Sequence, residues 1–311
     1  MKKFVSIALS LVLVLSCAAA LAELTFSTGG TAGTYYAYGT VLAQYITANT
    51  DLAVTAIAGN GSAANIDLLD LGDAQLALVQ NDVAGYAYNG IRFEQYEGAP
   101  VNSFTALAAL YDETVQVITC NPDIKTVADL KGKTVSIGAL GSGVYFNAID
   151  VLGVYGLSES DISPVYQSFG DSAESLKDGK IDAAFIVAGA PTTAITDLST
   201  SGQVYLVSID DAHIDQLLAV SPYYSKYVVP ADTYGMPEDC QTVAVGAVIL
   251  VRNDVSDDAV YSLVSTIFDN ADSLEHGKAA ELDLAFASSI TDVPYHPGAA
   301  KYFAEKGITV G

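Results

Sequence analysis

Two uninterrupted extended runs, residues 107–120 and 242–252, constrain this chain more than any other feature. Both exceed the usual strand of about five or six residues. They lie far apart in sequence. Around them, apolar β-type runs alternate with amphipathic helical segments, which is the α/β signature. Two long strands in such a pattern predict two α/β lobes joined by crossing hinge strands, able to close on a ligand.

The alternation is legible segment by segment. Residues 24–28 read as a strand. Residues 34–49 read as a helix, with Tyr35, Tyr38, Val41, Leu42, Tyr45 and Ile46 at helical spacing. Residues 52–58 read as a strand, residues up to Leu71 as a helix, and residues 76–80 as a buried strand. Beyond the first long run, Thr126 caps a short helix over 127–131. Strands are expected at 133–139, 161–169, 181–187 and 204–209. Helices are expected from the Gly141 turn to Tyr155, and over 171–177, 194–198 and 257–272.

The N-terminus reads as an export signal. Met1-Lys2-Lys3 is basic, a dozen apolar residues follow, and Ala20-Leu21-Ala22 offers a small-x-small cleavage site. The run is shorter than the roughly 20 residues of a membrane-spanning helix. The alternative is lipidation at Cys17, after Val14-Leu15-Ser16. Either way the chain is expected outside the cytoplasm. There, Cys120 and Cys240 are open either to pairing or to separate burial as small apolar groups.

Charge excludes several classes of function. A net charge of −23 over 311 residues repels nucleic acid and anionic membrane surfaces. His213, His276 and His296 are scattered, so no metal cluster is expected, and nothing in the sequence calls for a cofactor. No Gly-x-Ser-x-Gly elbow frames a nucleophile.

Four segments remain as binding candidates. Gly29-Gly30-Thr31-Ala32-Gly33-Thr34-Tyr35 lies between a strand and a helix. So does Ala139-Leu140-Gly141-Ser142-Gly143. Helix starts offer free N–H groups and a positive dipole end. Each turn also reads as a plain tight turn with a cap. Gln80-Asn81-Asp82 ends an apolar strand, either to start a helix or to place Gln80 on a ligand. Val187-Ala188-Gly189 ends another strand in small residues, either to leave room for a ligand or to pack closely.

Taken in order, five segments resemble the TAXI family, the solute-binding subunits of TRAP transporters. They are STGGTAGTYYAYG at 27–39, LALVQNDVAGYAYNG at 76–90, VADLKGKTVSIGALGSG at 127–143, LKDGKIDAAFIVAGAPTTAITDL at 176–198 and HPGAAKYFAEKG at 296–307. The resemblance implies a type II-like periplasmic-binding-protein fold. A signal peptide over 1–22 would precede lobe I over 23–112, with part of 205–311 returning to it. Lobe II would span 113–204. It implies capture of a small organic anion, such as glutamate, 2-oxoglutarate or a related amino or keto acid, and delivery to TRAP membrane subunits. A sensor for a membrane receptor is the alternative, and an enzyme acting on a small carboxylate a weaker one. Carried onto this sequence, the ligand-binding set is Gly30, Thr31, Thr34, Tyr35, Gln80, Asn81, Gly141, Ser142, Gly143, Ala188 and Gly189. Ala32 stands where the family turn has Gly, and Val144 where the second turn is followed by Thr.

Overall fold

The computed structural model describes residues 22–92 and 96–311. Nearly all of the export segment, with Cys17, lies outside the described residues. Three strand–helix units come first: β1 (Ala22–Ser27) with α1 (Thr34–Asn49), β2 (Leu52–Ile57) with α2 (Ser62–Leu71), and β3 (Leu76–Gln80) with α3 (Asn81–Asn89). The long strand β4 (Phe104–Thr119) follows. Three more units are β5 (Thr134–Ser136) with α4 (Val144–Val154), β6 (Ser163–Val165) with α5 (Phe169–Lys177), and β7 (Ala183–Ala188) with α6 (Thr193–Ser201). Then come β8 (Tyr205–Leu206), α7 (Asp211–Val220), β9 (Ser225–Val229) and the second long strand β10 (Cys240–Arg252). Helices α8 (Asp257–Phe268), α9 (Leu284–Ala287) and α10 (Pro297–Glu305) end the chain.

The strands form one sheet in the order β2-β1-β3-β10-β4-β7-β5-β6, with β8 on β4 and β9 on β10. In one half, β1 runs parallel to β2 and β3; in the other, β5 runs parallel to β6 and β7. The antiparallel pair β4–β10 belongs to both halves. One hydrophobic core takes Leu107 to Tyr111 of β4 and Ala247 to Val251 of β10. A second takes Val115 and Val117 of β4 and Val243 and Val245 of β10. The crossing between lobes therefore falls where Asp112, Glu113 and Thr114 pair with Gly246, Val245 and Ala244. Register shifts at Ala247/Val248 and Ile249/Leu250 kink the pair beside this crossing.

Local chemistry explains most boundaries. Gly72 and Gly90 take left-handed conformations that end α2 and α3. Thr126 and Asp129 form a capping box on a single 3₁₀ turn, Val127–Leu130. The strand expected at 161–169 is shorter, because Ser168 caps α5 by accepting from Asp171 N–H and Phe169 is already helical. The strand expected at 204–209 shrinks to Tyr205–Leu206. His296 is structural: its side chain accepts from Gly298 N–H to cap α10, with Pro297 in the first turn. Cys120 and Cys240 are unpaired, and burial raises both thiols above their ordinary range.

Candidate functional site

The C-terminal ends of β1, β2 and β3 in one lobe and of β5, β6 and β7 in the other converge on one crevice. That is where open α/β sheets bind ligands. Helices α1, α2 and α4 start there, and their N-caps are Gly33, Gly61 and Gly143, none with a side-chain capping bond. A glycine cap leaves first-turn N–H groups free for another acceptor. A Cβ at Gly143 would displace the Gln80 carboxamide, so the two lie against each other.

Two adjoining cavities occupy the crevice, sharing Gly30 and Phe169. One, of about 80 Å³, is lined by Gly30, Gly59, Asn60, Ala139, Ser142, Gln167, Ser168 and Phe169. The other, of about 40 Å³, is lined by Gly29, Gly30, Gly33, Thr34, Tyr35, Ser62, Gln80, Glu113, Val144, Phe169, Val187 and Ala188. No Lys or Arg lines either cavity among the described residues. Tyr35 Oη and Ser142 Oγ are buried without a hydrogen-bond partner. Buried polar atoms are almost always satisfied, so orphans in a cavity wall mark places for a ligand or water.

Glu113 is the group that sequence reading missed. It is only 2% exposed and lies at the lobe crossing on β4. Burial pushes its carboxyl up to about 8; the Tyr35 hydroxyl and Lys278 pull it down and Asp82 pushes it further up. Tyr35 Oη stands beside this carboxyl without a hydrogen bond of regular geometry. Lys278 is itself committed, with Nζ 2.6 Å from Glu281 and 5.4 Å from the Tyr111 ring centre. The available signal was a pair of acidic residues, Asp112-Glu113, inside an otherwise apolar run.

The lobes touch across the crevice. Thr34 Oγ1 donates to Gly189 O (2.9 Å), Ala64 N–H to Gly141 O (3.0 Å) and Ala194 N–H to Ala32 O (3.1 Å). Phe169 packs against Gly33. Beside the cavities lies a polar network. Gln80 Nε2 donates to Asn147 Oδ1 (2.6 Å), and Asn147 Nδ2 donates to Asp82 Oδ2 and Tyr224 Oη (both 3.0 Å). Tyr224 Oη donates to Asp150, which also takes two bonds from Arg92, at 3.0 and 2.6 Å. Burial raises Asp82 to about 6, against hydrogen bonds from Val83 N–H and Asn147 that lower it.

The candidate residues divide by position. Gly30, Thr34, Tyr35, Gln80, Ser142 and Ala188 line the cavities. Gly143 abuts Gln80, while Gly141 and Gly189 accept the interlobe bonds just described. Thr31 is exposed and lines neither cavity. Asn81 accepts from Gly246 N–H of β10 (3.0 Å) and lines a separate 330 Å³ cavity with Tyr223 and Asp292. Neither arginine reaches the crevice: Arg92 pairs with Asp150 and Arg252 with Asp254.

Two α/β lobes on one sheet, linked by two crossing strands with a crevice between them, define the periplasmic-binding-protein fold. The solved structures agree. The alkanesulfonate-binding protein SsuA from Xanthomonas axonopodis pv. citri, bound to MOPS, matches at 16% identity and TM-score 0.51 over 91% of this chain and 83% of its own. PhnD1 from Prochlorococcus marinus, in complex with methylphosphonate, matches at 11% and 0.54 over 83% and 88%. A putative L-cystine ABC transporter protein from Listeria monocytogenes matches at 14% and 0.52 over 88% and 99%. Within this fold the chain belongs to the NMT1-like family, whose model matches residues 26–307.

Proposed function

We propose that this protein is an exported, non-enzymatic solute receptor that closes its lobes on a small organic anion, such as glutamate, 2-oxoglutarate or a related carboxylate. One observation carries the reading: Tyr35 and Ser142, on opposite lobes, hold buried hydroxyls without a hydrogen bond of regular geometry in adjoining cavities. The glycine-capped starts of α1 and α4 beside them supply N–H groups for a carboxylate, so no arginine is needed. The acidic surface does not oppose this, because solvated charges are screened beyond about 8–10 Å.

All of the binding set from sequence except Thr31 and Asn81 enters this reading, in two roles. Gly30, Tyr35, Ser142 and Ala188 face the ligand. Thr34, Gln80, Gly141, Gly143 and Gly189 hold the lobes closed around it. The five ordered motif segments favour delivery to TRAP membrane subunits. The name of the Listeria neighbour favours an ABC transporter as the second reading. Purifying the tagged protein with its membrane partner and counting that partner's nucleotide-binding subunits separates the two.

The receptor reading is tested by thermal shift against amino acids, 2-oxo acids, C4-dicarboxylates and sugar acids. A ligand at about 100 times its Kd adds roughly 2.7 kcal/mol of stability. A saturable rise without turnover is the expected result; no rise with any class refutes the reading.

A further inference from the structure

Among the described residues Glu113 is the one carboxyl lining the cavities, and it stands at the lobe crossing on β4. Among the described residues the cation that acts on it is Lys278, which Glu281 already holds. Tyr35 and Tyr111 approach from α1 and β4, and Asp82 from α3 adds like charge. Left in that state the carboxyl keeps its proton, because burial without a free counter-charge disfavours the ionised form. The same cavities begin at Gly30 and Ser142, beside helix starts suited to an anion. The crevice thus has a pole for a ligand carboxylate and, next to it, a pole for a positive group.

Resting on the receptor reading above, we propose that Glu113 receives the ammonium group of the ligand, so that the crevice selects an α-amino acid over the matching 2-oxo acid. An ammonium supplies a counter-charge and N–H donors that let Glu113 give up its proton to solvent, and charge-assisted bonds of this kind are the strong ones. A 2-oxo acid would instead bring a carbonyl oxygen against a carboxylate. It could be held only if Glu113 kept its proton and donated it, and that arrangement reverses the preference. Glu113 would therefore be a specificity-determining residue, and an engineered change there should alter the ratio of affinities rather than affinity in general.

The test is calorimetric titration of the full protein with matched pairs: glutamate and 2-oxoglutarate, leucine and 4-methyl-2-oxopentanoate, alanine and pyruvate. For the pair that binds, the amino acid should be tighter by at least about tenfold. Glu113→Gln should reduce that ratio to about one. Glu113→Asp, which keeps the charge, should retain the preference with weaker binding, and it serves if the glutamine variant misfolds. A 2-oxo acid that binds as tightly as its amino acid, or a ratio unchanged in Glu113→Gln, overturns this proposal and leaves the receptor reading intact. No binding by either member of any pair, nor by the wider ligand set, overturns both.

Discussion

Two polar clusters lie side by side between the lobes, and they are built in opposite ways. In the first, Gln80, Asn147, Asp82, Tyr224, Asp150 and Arg92 satisfy one another through a connected run of bonds between 2.6 and 3.0 Å. In the second, Ser142 Oγ has no partner, Tyr35 Oη meets the Glu113 carboxyl without a hydrogen bond of regular geometry, and Lys278, the cation that acts on Glu113, is held by Glu281. A satisfied buried network rigidifies and specifies a single arrangement. An unsatisfied one costs free energy unless something else completes it. The first cluster is therefore read as a latch between the lobes, and under the proposed function the second is the receptacle.

Substitutions should separate the two. The largest loss is expected in the latch. Asp150→Ala strips Arg92 and Tyr224 of their acceptor, and breaking a buried pair costs at least about 3 kcal/mol. Arg92 is 32% exposed, which puts the effect at the lower end. Urea denaturation reads it directly, and a change under about 0.5 kcal/mol would show that the network is not a latch.

A smaller effect concerns pH. Burial holds Glu113 near 8 and Asp82 near 6, against 4.5 and 3.8 for the free carboxyls. The native state thus binds more protons than the unfolded state across that window. Stability present at pH 4 is lost as pH rises toward 8. Glu113→Gln should flatten the upper part of this curve and raise stability at pH 8 by more than about 1 kcal/mol. If the variant and the wild type show parallel pH profiles between 6 and 8, the Glu113 site does not bear that cost.

The smallest stability effect is expected at the receptacle's rim. Ser142→Ala removes a hydroxyl with no protein partner, so stability should change by no more than about 0.5 kcal/mol. Affinity for the bound ligand should nevertheless fall about tenfold, the value of one hydrogen bond to a charged group. Unchanged affinity in a titration would take Ser142 out of the site.

Much of this arrangement was legible in the sequence. Helix α1 and strand β3 begin and end where the apolar spacing places them. The long runs became β4 and β10 with ends shifted by a few residues. Regular periodicity needs no tertiary information. Short elements fared worse, because competition at their ends is local and close. Ser168 turned the end of a strand into the start of α5, and β9 was not anticipated at all.

The consecutive residues Gln80, Asn81 and Asp82 mark the boundary of what spacing can say. They look like one polar motif. The turn into α3 advances about 100° per residue, so Asn81 parts company with the other two. Gln80 lines the crevice and joins the latch through Asn147, Asn81 holds Gly246 of the hinge strand, and Asp82 meets the same Asn147 from α3. Thr31 shows the same limit, exposed one residue beyond Gly30 in the cavity wall.

The sequence by itself determined the strand–helix alternation, the glycine turns at the crevice and the two long strands that join the lobes. All of these depend on local conformational preference and on the period of apolar side chains. Only the tertiary structure decided which polar groups are satisfied and which are not. Glu113 lies far along the chain from Tyr35, and Ser142 from Gly30, so whether such residues share a cavity is a matter of distance in space. The unpartnered hydroxyls and the buried carboxyl that define the site exist only once both lobes are folded and brought together.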